Sequence, residues 1–255
     1  MPKSLKITIL GCGTSTGVPK IGGEWGVCDP NNPKNRRRRS SVFIEDSQTK
    51  VLIDTTPDLR EQCLDANITH IDGVLYTHDH ADHTHGIDDL RAISHIMKRR
   101  VEAYSNARTI SVLKKRFDYI FESKEGYPAI LNSTEIEKDE FNIGSLAIQP
   151  FDLTHGPSIT LGFRLNRMAY TTDLNAIPKE SEAYLQDLDL WIVDALRPEP
   201  HPTHSHLEQT LGWIEKFKPK RAILTHMTWD MDYETLKKAL PEHIEPAYDG
   251  MVIRI

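Results

Sequence analysis

The stretch Thr77-His78-Asp79-His80-Ala81-Asp82-His83 is the most informative part of this chain. It carries three imidazoles and a carboxylate in the pattern H-x-H-x-D-H. These are the side chains that divalent metals such as Zn²⁺ prefer and that Mn²⁺ and Fe²⁺ also accept. Alternation along the chain points His78 and His80 toward one metal, while Asp82 and His83 follow a turn and can reach a second.

The surroundings of this motif favour a metal site over a solvated, histidine-rich loop. An apolar, strand-like run, Gly73-Val74-Leu75-Tyr76, leads into the motif, and a helical pattern follows it. Four more candidate ligands come at the ends of other strand-like runs: Asp54, His155, Asp173 and His226. Strand ends bring side chains to a common rim, so these residues are expected to converge.

Composition and length narrow the class of protein. The chain has 255 residues with 38% hydrophobic and 27% charged content, which is ordinary for a globular protein with a sizeable core. No linker or repeat divides it, so residues 1–255 are interpreted as one domain. The formal charge of −6 does not support binding to bulk polyanions.

Location is inferred from what the sequence lacks. No apolar run approaches the about 20 residues that span a bilayer, and Met1-Pro2-Lys3-Ser4 leads into a strand without a secretory segment. Three cysteines without a C-x-x-C pattern argue against a disulfide framework. A cytoplasmic enzyme without membrane association is the expectation.

Hydrophobic periodicity predicts a mixed α/β (α+β) protein. Helices are predicted near 57–66, 86–98, 107–121, 178–186, 205–217 and 233–240. Ser205 and Glu208 match a capping box at the start of the fifth helix. Strands are predicted near 5–10, 41–45, 50–53, 73–76, 102–105, 147–153, 159–164, 167–171, 189–194, 221–224 and 251–255.

The motif and the ordered strand-end ligands resemble the metallo-β-lactamase superfamily across most of the chain. The resemblance implies a four-layer αβ/βα sandwich, with two sheets face to face, helices outside and the metals at one edge. It implies two divalent ions, Zn²⁺ or Mn²⁺, between which the sequence does not distinguish. By the resemblance, the first metal would be held by His78, His80 and His155, the second by Asp82, His83 and His226, with Asp173 bridging both.

The same resemblance assigns further roles. Asp54 would orient a metal ligand through a hydrogen bond. A hydroxide bridging the two metals would act as nucleophile, because a bound metal lowers the pKa of water from about 15.7 toward about 7. The candidate catalytic residues are Asp82, His204 and His206; His204 is the preferred general acid for the leaving alkoxide and His206 is second. The alternative is that both histidines only cap a helix and face solvent.

The N-terminal segment Leu10-Gly11-Cys12-Gly13-Thr14-Ser15-Thr16-Gly17-Val18-Pro19 points to one branch of the superfamily. It resembles the opening of the cyclic phosphodiesterases of the carbon–phosphorus lyase pathway, which implies small or cyclic phosphodiester substrates like 5-phosphoribosyl 1,2-cyclic phosphate. Relatives in this branch usually bind a structural zinc here, but of its four ligands only Cys28 is present, so that site is expected to be absent. The run Arg36–Arg39 could receive a terminal phosphate, or be solvated or ion-paired.

Two other activities stay open. A ribonuclease Z-like tRNA 3′-processing endonuclease shares the expected site, but only 17 residues separate His155 from Asp173, which leaves no room there for a tRNA-binding arm. Nucleic acid is therefore a less favoured partner than a small phosphodiester. A thioester hydrolase or lactonase is the other alternative. The sequence does not define the oligomeric state, and a homodimer is compatible with it.

Overall fold

Two seven-stranded sheets form the centre of the protein, for which a computed structural model describes residues 4–124 and 126–255. The first sheet has the order β14-β1-β2-β3-β4-β5-β6, with antiparallel pairing from β14 to β3 and parallel pairing from β3 to β6. Its strands are β1 (Lys6–Gly11), β2 (Ser41–Glu45), β3 (Lys50–Ile53), β4 (Gly73–Leu75), β5 (Val101–Ser105), β6 (Leu131–Glu135) and β14 (Val252–Arg254).

The second sheet repeats this arrangement of antiparallel and parallel halves. Its order is β13-β12-β11-β10-β9-β8-β7; β7 to β10 pair antiparallel and β10 to β13 pair parallel. Its strands are β7 (Phe141–Ile143), β8 (Leu146–His155), β9 (Ser158–Leu165), β10 (Met168–Thr171), β11 (Leu190–Asp194), β12 (Ala222–Thr225) and β13 (Ile244–Pro246).

The sheets pack face to face through a buried apolar layer. Ile7, Ile44 and Ile53 from the first sheet share one cluster with Phe151 and Phe163 from the second. Branched and aromatic side chains alternate inward along these strands, and this burial of apolar surface drives the two sheets together. The polar atom of the largest core residue is also satisfied, because the Trp191 indole N–H donates to Thr171 Oγ1 at 3.0 Å.

Helices cover the outer face of each sheet, so the predicted four-layer αβ/βα sandwich is confirmed. A separate apolar cluster joins the first sheet to the helices before β6, while Ile214 and Phe217 of the sixth helix pack on the second sheet. The helices are α1 (Leu59–Asp65), α2 (Ala81–Thr84), α3 (Leu90–Met97), α4 (Ala107–Arg116), α5 (Asp118–Phe121), α6 (Leu207–Phe217) and α7 (Tyr233–Ala239). Within the described ranges, no helix has both the length and the apolar composition needed to cross a bilayer.

Three helix predictions need correction. The 178–186 segment is a 3₁₀ helix over Lys179–Leu185, and the 107–121 segment is interrupted at Phe117, whose φ of −131° is not helical. Helix α6 begins at Leu207 with His206 as its N-cap. The predicted capping box is therefore wrong: the Ser205 hydroxyl donates instead to the Asp194 carbonyl at 2.8 Å.

Candidate metal centre

The candidate ligands lie at the carboxyl ends of strands in both sheets. Asp54 follows β3 and the H-x-H-x-D-H motif follows β4, while His155, Asp173 and His226 end or follow β8, β10 and β12. Strands β3 and β4 are parallel, and β8, β10 and β12 share one direction in the second sheet. Their carboxyl ends therefore meet at one edge of the sandwich, where His83 Nε2 of one half lies 3.1 Å from Asp173 Oδ1 of the other.

Three of these residues have left-handed backbone conformations. The φ angles are 63° at Asp54, 54° at Asp173 and 58° at His226. A positive φ is uncommon for residues other than glycine and costs free energy, although Asp and His adopt it more readily than most. Each lies directly at the point where a strand turns away, so the surrounding fold holds these side chains at the edge against a local preference.

The first group of donors contains His78, His80, His155 and Asp173, whose ligand atoms all lie within 4.8 Å of one another. The ring centroids of His78 and His80 are 4.5 Å apart, and those of His80 and His155 are 5.1 Å apart. His80 is exposed, whereas the other three side chains are buried. The group therefore opens to solvent on the side of His80.

The second group contains Asp82, His83, Asp173 and His226, again with ligand atoms within 4.8 Å. Asp173 belongs to both groups, so one carboxylate lies between two donor sets. Burial would raise the pKa of Asp173, but the imidazoles of His226 and His83 hold it well below its usual range. Asp173 is thus ionised at neutral pH, as a carboxylate ligand must be.

The donors fit a divalent metal. Among the described residues, Nε2 of His78 and Nε2 of His83 are buried and form no hydrogen bond of normal geometry, although both lie near the Asp173 carboxylate, at 3.7 and 3.1 Å. Such buried nitrogens cost free energy unless another group satisfies them. Their other ring nitrogens are engaged: His78 Nδ1 lies 3.0 Å from Thr77 Oγ1, and His83 Nδ1 lies 2.7 Å from Asp54 Oδ2. The free nitrogens are aimed into the groups, as in metal-binding histidines whose second nitrogen is held by the protein.

Asp54 lies beneath this cluster and is fully buried. Its carboxylate accepts hydrogen bonds from the Thr77 N–H and hydroxyl, both at 2.8 Å, in addition to its contact with His83. On the other side, His155 Nδ1 lies 2.7 Å from the Thr203 carbonyl. Asp54 and the Thr203 carbonyl thus fix the orientation of the His83 and His155 rings before any metal binds.

His204 lies beside both groups. Its ring stacks on His226 with centroids 5.0 Å apart, and its Nε2 lies 3.8 Å from Asp173 Oδ2. Its Nδ1 lies 3.0 Å from Oδ2 of the buried Asp194. Burial opposes the imidazolium charge, but the hydrogen bond and the charge of Asp194 outweigh it and raise the pKa of His204 to about 9.

Sequence reasoning missed Asp194. It ends the apolar strand β11, which lies between the strands leading to Asp173 and His226. Its backbone carbonyl also accepts the Ser205 and Thr210 hydroxyls at 2.8 and 2.7 Å, which fastens the His204 segment to β11. A carboxylate ending an apolar strand was the available signal, the same one that identified Asp54 and Asp173.

The other candidate residues lie elsewhere. Among the described residues, no ring contact or ion pair joins His206 to the cluster, and its backbone caps α6. The arginine run is largely engaged within the protein: Arg37 is buried, Arg38 pairs with Asp65 at 2.6 Å, and Arg39 lies 3.1 Å from Asp58. The Arg36 guanidinium lies 5.3 Å from the Trp25 ring centroid.

Two curated relatives align with this chain. An octanoyltransferase of Porphyromonas gingivalis (strain ATCC BAA-308 / W83) is 33% identical over 253 residues, which are 97% of this chain and 51% of that protein. A ribonuclease Z of Methanopyrus kandleri is 28% identical over 128 residues, 49% of this chain and 43% of that protein. The chain thus spans about half the length, or less, of these curated relatives.

A solved structure is similar over nearly the whole chain. It is a diphosphatase from the PhnP family, with a TM-score of 0.92 and 38% identity over 99% of this chain and 97% of that one. The sequence model of a protein family, the beta-lactamase superfamily domain, matches residues 49–227, a range that contains both donor groups. On this match and on the fold, the chain belongs to the metallo-β-lactamase superfamily.

Proposed function

We propose that the protein is a metal-dependent phosphodiesterase that hydrolyses small phosphodiesters. The observation that carries this proposal is the pair of donor groups sharing Asp173, with the His204–Asp194 pair directly beside them. Phosphoryl hydrolysis needs an activated water, stabilisation of charge on the phosphoryl oxygens and a proton for the leaving oxygen. The arrangement offers a residue or donor group for each requirement.

The first metal would be held by His78, His80 and His155, the second by Asp82, His83 and His226, with Asp173 shared. When bound, two such cations would lower the pKa of a water between them and offset negative charge on the substrate phosphoryl group. Zn²⁺ and Mn²⁺ both suit imidazole and carboxylate donors. Asp54 keeps His83 Nε2 pointed into the second group through its 2.7 Å contact with Nδ1.

His204 is the proposed general acid. Its contact with Asp194 fixes a proton on Nδ1 and leaves Nε2 directed at the centre, from which it can donate a proton to a leaving oxygen. Its ring stacks on His226 and meets the His155 ring edge-on, and these two contacts restrict its rotation. Asp82 remains a candidate both as ligand and as proton acceptor, because its side chain is only partly buried.

For the substrate, we propose a small molecule with a phosphodiester or diphosphate linkage. The PhnP-family neighbour is a diphosphatase, and the similarity covers nearly the whole length of both chains. Diphosphate and phosphodiester linkages pose the same chemical problem: water attacks a phosphorus atom, and the bridging oxygen bound to that phosphorus leaves. A cyclic ester such as 5-phosphoribosyl 1,2-cyclic phosphate belongs to the same class.

Acyl-thioester hydrolysis is a second candidate, favoured by the 33% identity to the Porphyromonas gingivalis octanoyltransferase over 97% of this chain. Since half of that protein lies outside the alignment, its transferase activity comes to this chain only as a hypothesis. Cleavage of tRNA precursors is less favoured, because β9 and β10 occupy the segment between His155 and Asp173 and leave no arm there.

The test is a substrate panel with metal-stripped protein reloaded with Zn²⁺ or Mn²⁺. The panel contains 5-phosphoribosyl 1,2-cyclic phosphate, a dinucleoside diphosphate, octanoyl thioester and a tRNA precursor. We expect metal-dependent turnover of one or both small phosphate substrates, a loss of about 10²–10⁴-fold in His204→Ala, and no change in His95→Ala, an exposed histidine on α3. Turnover of only the thioester or only the tRNA would refute the proposal.

A further inference from the structure

Arg37 is a buried, charged side chain in the segment that contacts the second donor group. It is 2% exposed, and no carboxylate of the described residues lies within salt-bridge distance of its guanidinium. The guanidinium donates instead to two carbonyls, Thr228 O at 3.0 Å and Met231 O at 2.5 Å, and to Asn35 Oδ1 at 3.4 Å. Burying a charge is expensive, and these hydrogen bonds offset the cost only in part, because Nε of Arg37 is buried without a partner among the described residues.

The carbonyls that Arg37 holds belong to the loop directly after His226. Thr228 and Met231 are two and five residues beyond that histidine, and the planar guanidinium bridges them with two nitrogens. Cys28 reinforces the same contact, since its thiol donates to the Trp229 carbonyl at 3.2 Å. The 28–37 segment therefore holds this loop in addition to two backbone hydrogen bonds, from the Met227 N–H to the Cys12 carbonyl at 2.9 Å and from the Thr228 N–H to the Leu196 carbonyl at 2.8 Å.

The arginine-bearing segment reaches His226 from the other side as well. Backbone hydrogen bonds in both directions at 2.9 Å join Arg37 to Val18, and three residues later Ser40 Oγ lies 3.3 Å from His226 Nδ1. His226 itself has a left-handed φ of 58°. A residue in a strained conformation keeps its position only when the chain on both sides is fixed, and the contacts of Arg37 supply that on one side.

We infer that Arg37 is a positioning residue for the second metal site: its guanidinium fixes the loop that follows His226 and so sets the affinity of that site alone. His226 belongs to the second donor group and not to the first. The inference rests on the metal binding of the proposed function but not on its substrate. Residues that support metal ligands typically change metal affinity by roughly 10- to 100-fold when they are replaced.

Whether replacement of Arg37 weakens or strengthens metal binding distinguishes a positioning role from a purely electrostatic one. Arg37 is a cation, and like charges repel, so removing its charge alone would strengthen binding of a divalent cation. Loss of the guanidinium bridge predicts the opposite, weaker binding at the second site. Arg37→Gln removes charge and bridge together, whereas Arg37→Lys keeps the charge and loses the planar fork.

The experiment is titration of the metal-free protein with Co²⁺ or Zn²⁺, following the two binding steps by calorimetry and by the visible spectrum of the cobalt protein. We expect Arg37→Gln and Arg37→Lys to weaken one step by roughly 10- to 100-fold and to leave the other unchanged. Arg38→Gln is the matched control: the neighbouring arginine has an exposed ion pair with Asp65 and should leave both steps unchanged.

Each other result counts against the inference. Stronger binding in Arg37→Gln with no change in Arg37→Lys would show a charge effect only. Equal weakening of both steps, or a lower melting temperature with both affinities intact, would show a general structural role. If Arg37→Gln does not fold, Arg37→Lys decides alone. A wild-type protein that binds only one metal would instead refute the proposed two-metal site.

Discussion

Asp194 determines which nitrogen of His204 faces the metal centre. Its Oδ2 accepts from the Leu174 N–H at 3.3 Å as well as contacting His204 Nδ1 at 3.0 Å, while Oδ1 has no hydrogen-bond partner in the described part of the chain. An asparagine that places its amide oxygen at the Oδ2 position keeps both contacts and removes the charge, while its NH₂ group takes the position of Oδ1. Alanine removes the contacts too. The two replacements therefore separate charge from orientation at one residue.

We expect Asp194→Asn to lower kcat about 10-fold and Asp194→Ala about 100-fold. A general acid contributes roughly 10²–10⁴-fold, and these replacements would weaken the general acid His204 rather than remove it. The loss should be large for a substrate with an alkoxide leaving group and small for one with 4-nitrophenolate, which leaves without a proton. Both variants should retain two metals per chain by elemental analysis. An equal loss on the two substrates would show that Asp194 does not act through the general acid.

Single residues were predictable where a motif or a strand end marked them. The seven candidate ligands lie in the two donor groups that the resemblance implied, but their roles as ligands remain a prediction. Asp194 has the same signal as Asp173, a carboxylate ending an apolar strand. Its importance depends on β11 lying between β10 and β12 in the sheet, an order that no local pattern contains.

At the scale of elements, helix α6 begins without a side-chain cap. His206 is its N-cap, with the extended φ and ψ of −99° and 166° that capping residues adopt, yet its imidazole forms no cap hydrogen bond. Serine at such a position accepts from a free N–H of the first turn. In α4, by comparison, the Asn106 side chain accepts from the Thr109 N–H at 2.9 Å.

We expect His206→Ser to raise the free energy of unfolding by about 0.5–1 kcal/mol. Denaturant unfolding measures this change, and Asn106→Ala, which removes an existing cap, should lower the same quantity by about 1 kcal/mol. Turnover of His206→Ser tests the prediction that this residue is the second general-acid candidate. Retained turnover would leave His206 as a capping residue, and a loss comparable to that of His204→Ala would place it in the mechanism.

The strands that sequence reasoning missed are β6, β7 and β13, and all three are edge strands. Strand β6 buries little more than Leu131, while β7 and β13 have three residues each. An edge strand packs on one neighbour only and needs no continuous apolar run, so periodicity gives a weak signal for it; of the four edge strands, only β14 was predicted. The central strands, buried on both faces, were predicted to within a few residues.

At the scale of the whole molecule, the apolar layer between the sheets draws on residues from Leu5 to Ile253. This continuity supports the proposal that residues 1–255 form one domain. Asp249 adds a polar tie between distant parts of the chain: its carboxylate accepts from the Cys12 N–H at 3.2 Å and from the Arg38 N–H at 2.8 Å. Burial raises the pKa of Asp249 to about 7, although these hydrogen bonds oppose the shift.

The raised pKa of Asp249 predicts how stability depends on pH. In the unfolded chain an aspartate titrates near pH 4, so between about pH 4 and 7 the folded protein holds a proton that the unfolded chain has released. The free energy of unfolding should therefore fall as pH rises through this window, by up to about 1.4 kcal/mol per unit, and level off above about pH 7. Other groups titrate here as well, so the measurement is the difference between wild type and Asp249→Asn.

Asparagine cannot ionise, and it exchanges one acceptor for a donor facing a backbone N–H, which costs a constant amount at every pH. The stability advantage of the wild type over Asp249→Asn should thus be largest near pH 4 and shrink toward pH 7. Urea unfolding of both proteins at pH 5, 6, 7 and 8 gives the curve. A difference that stays constant, or grows with pH, would mean that Asp249 is ionised throughout and that its hydrogen bonds to Cys12 and Arg38 outweigh its burial.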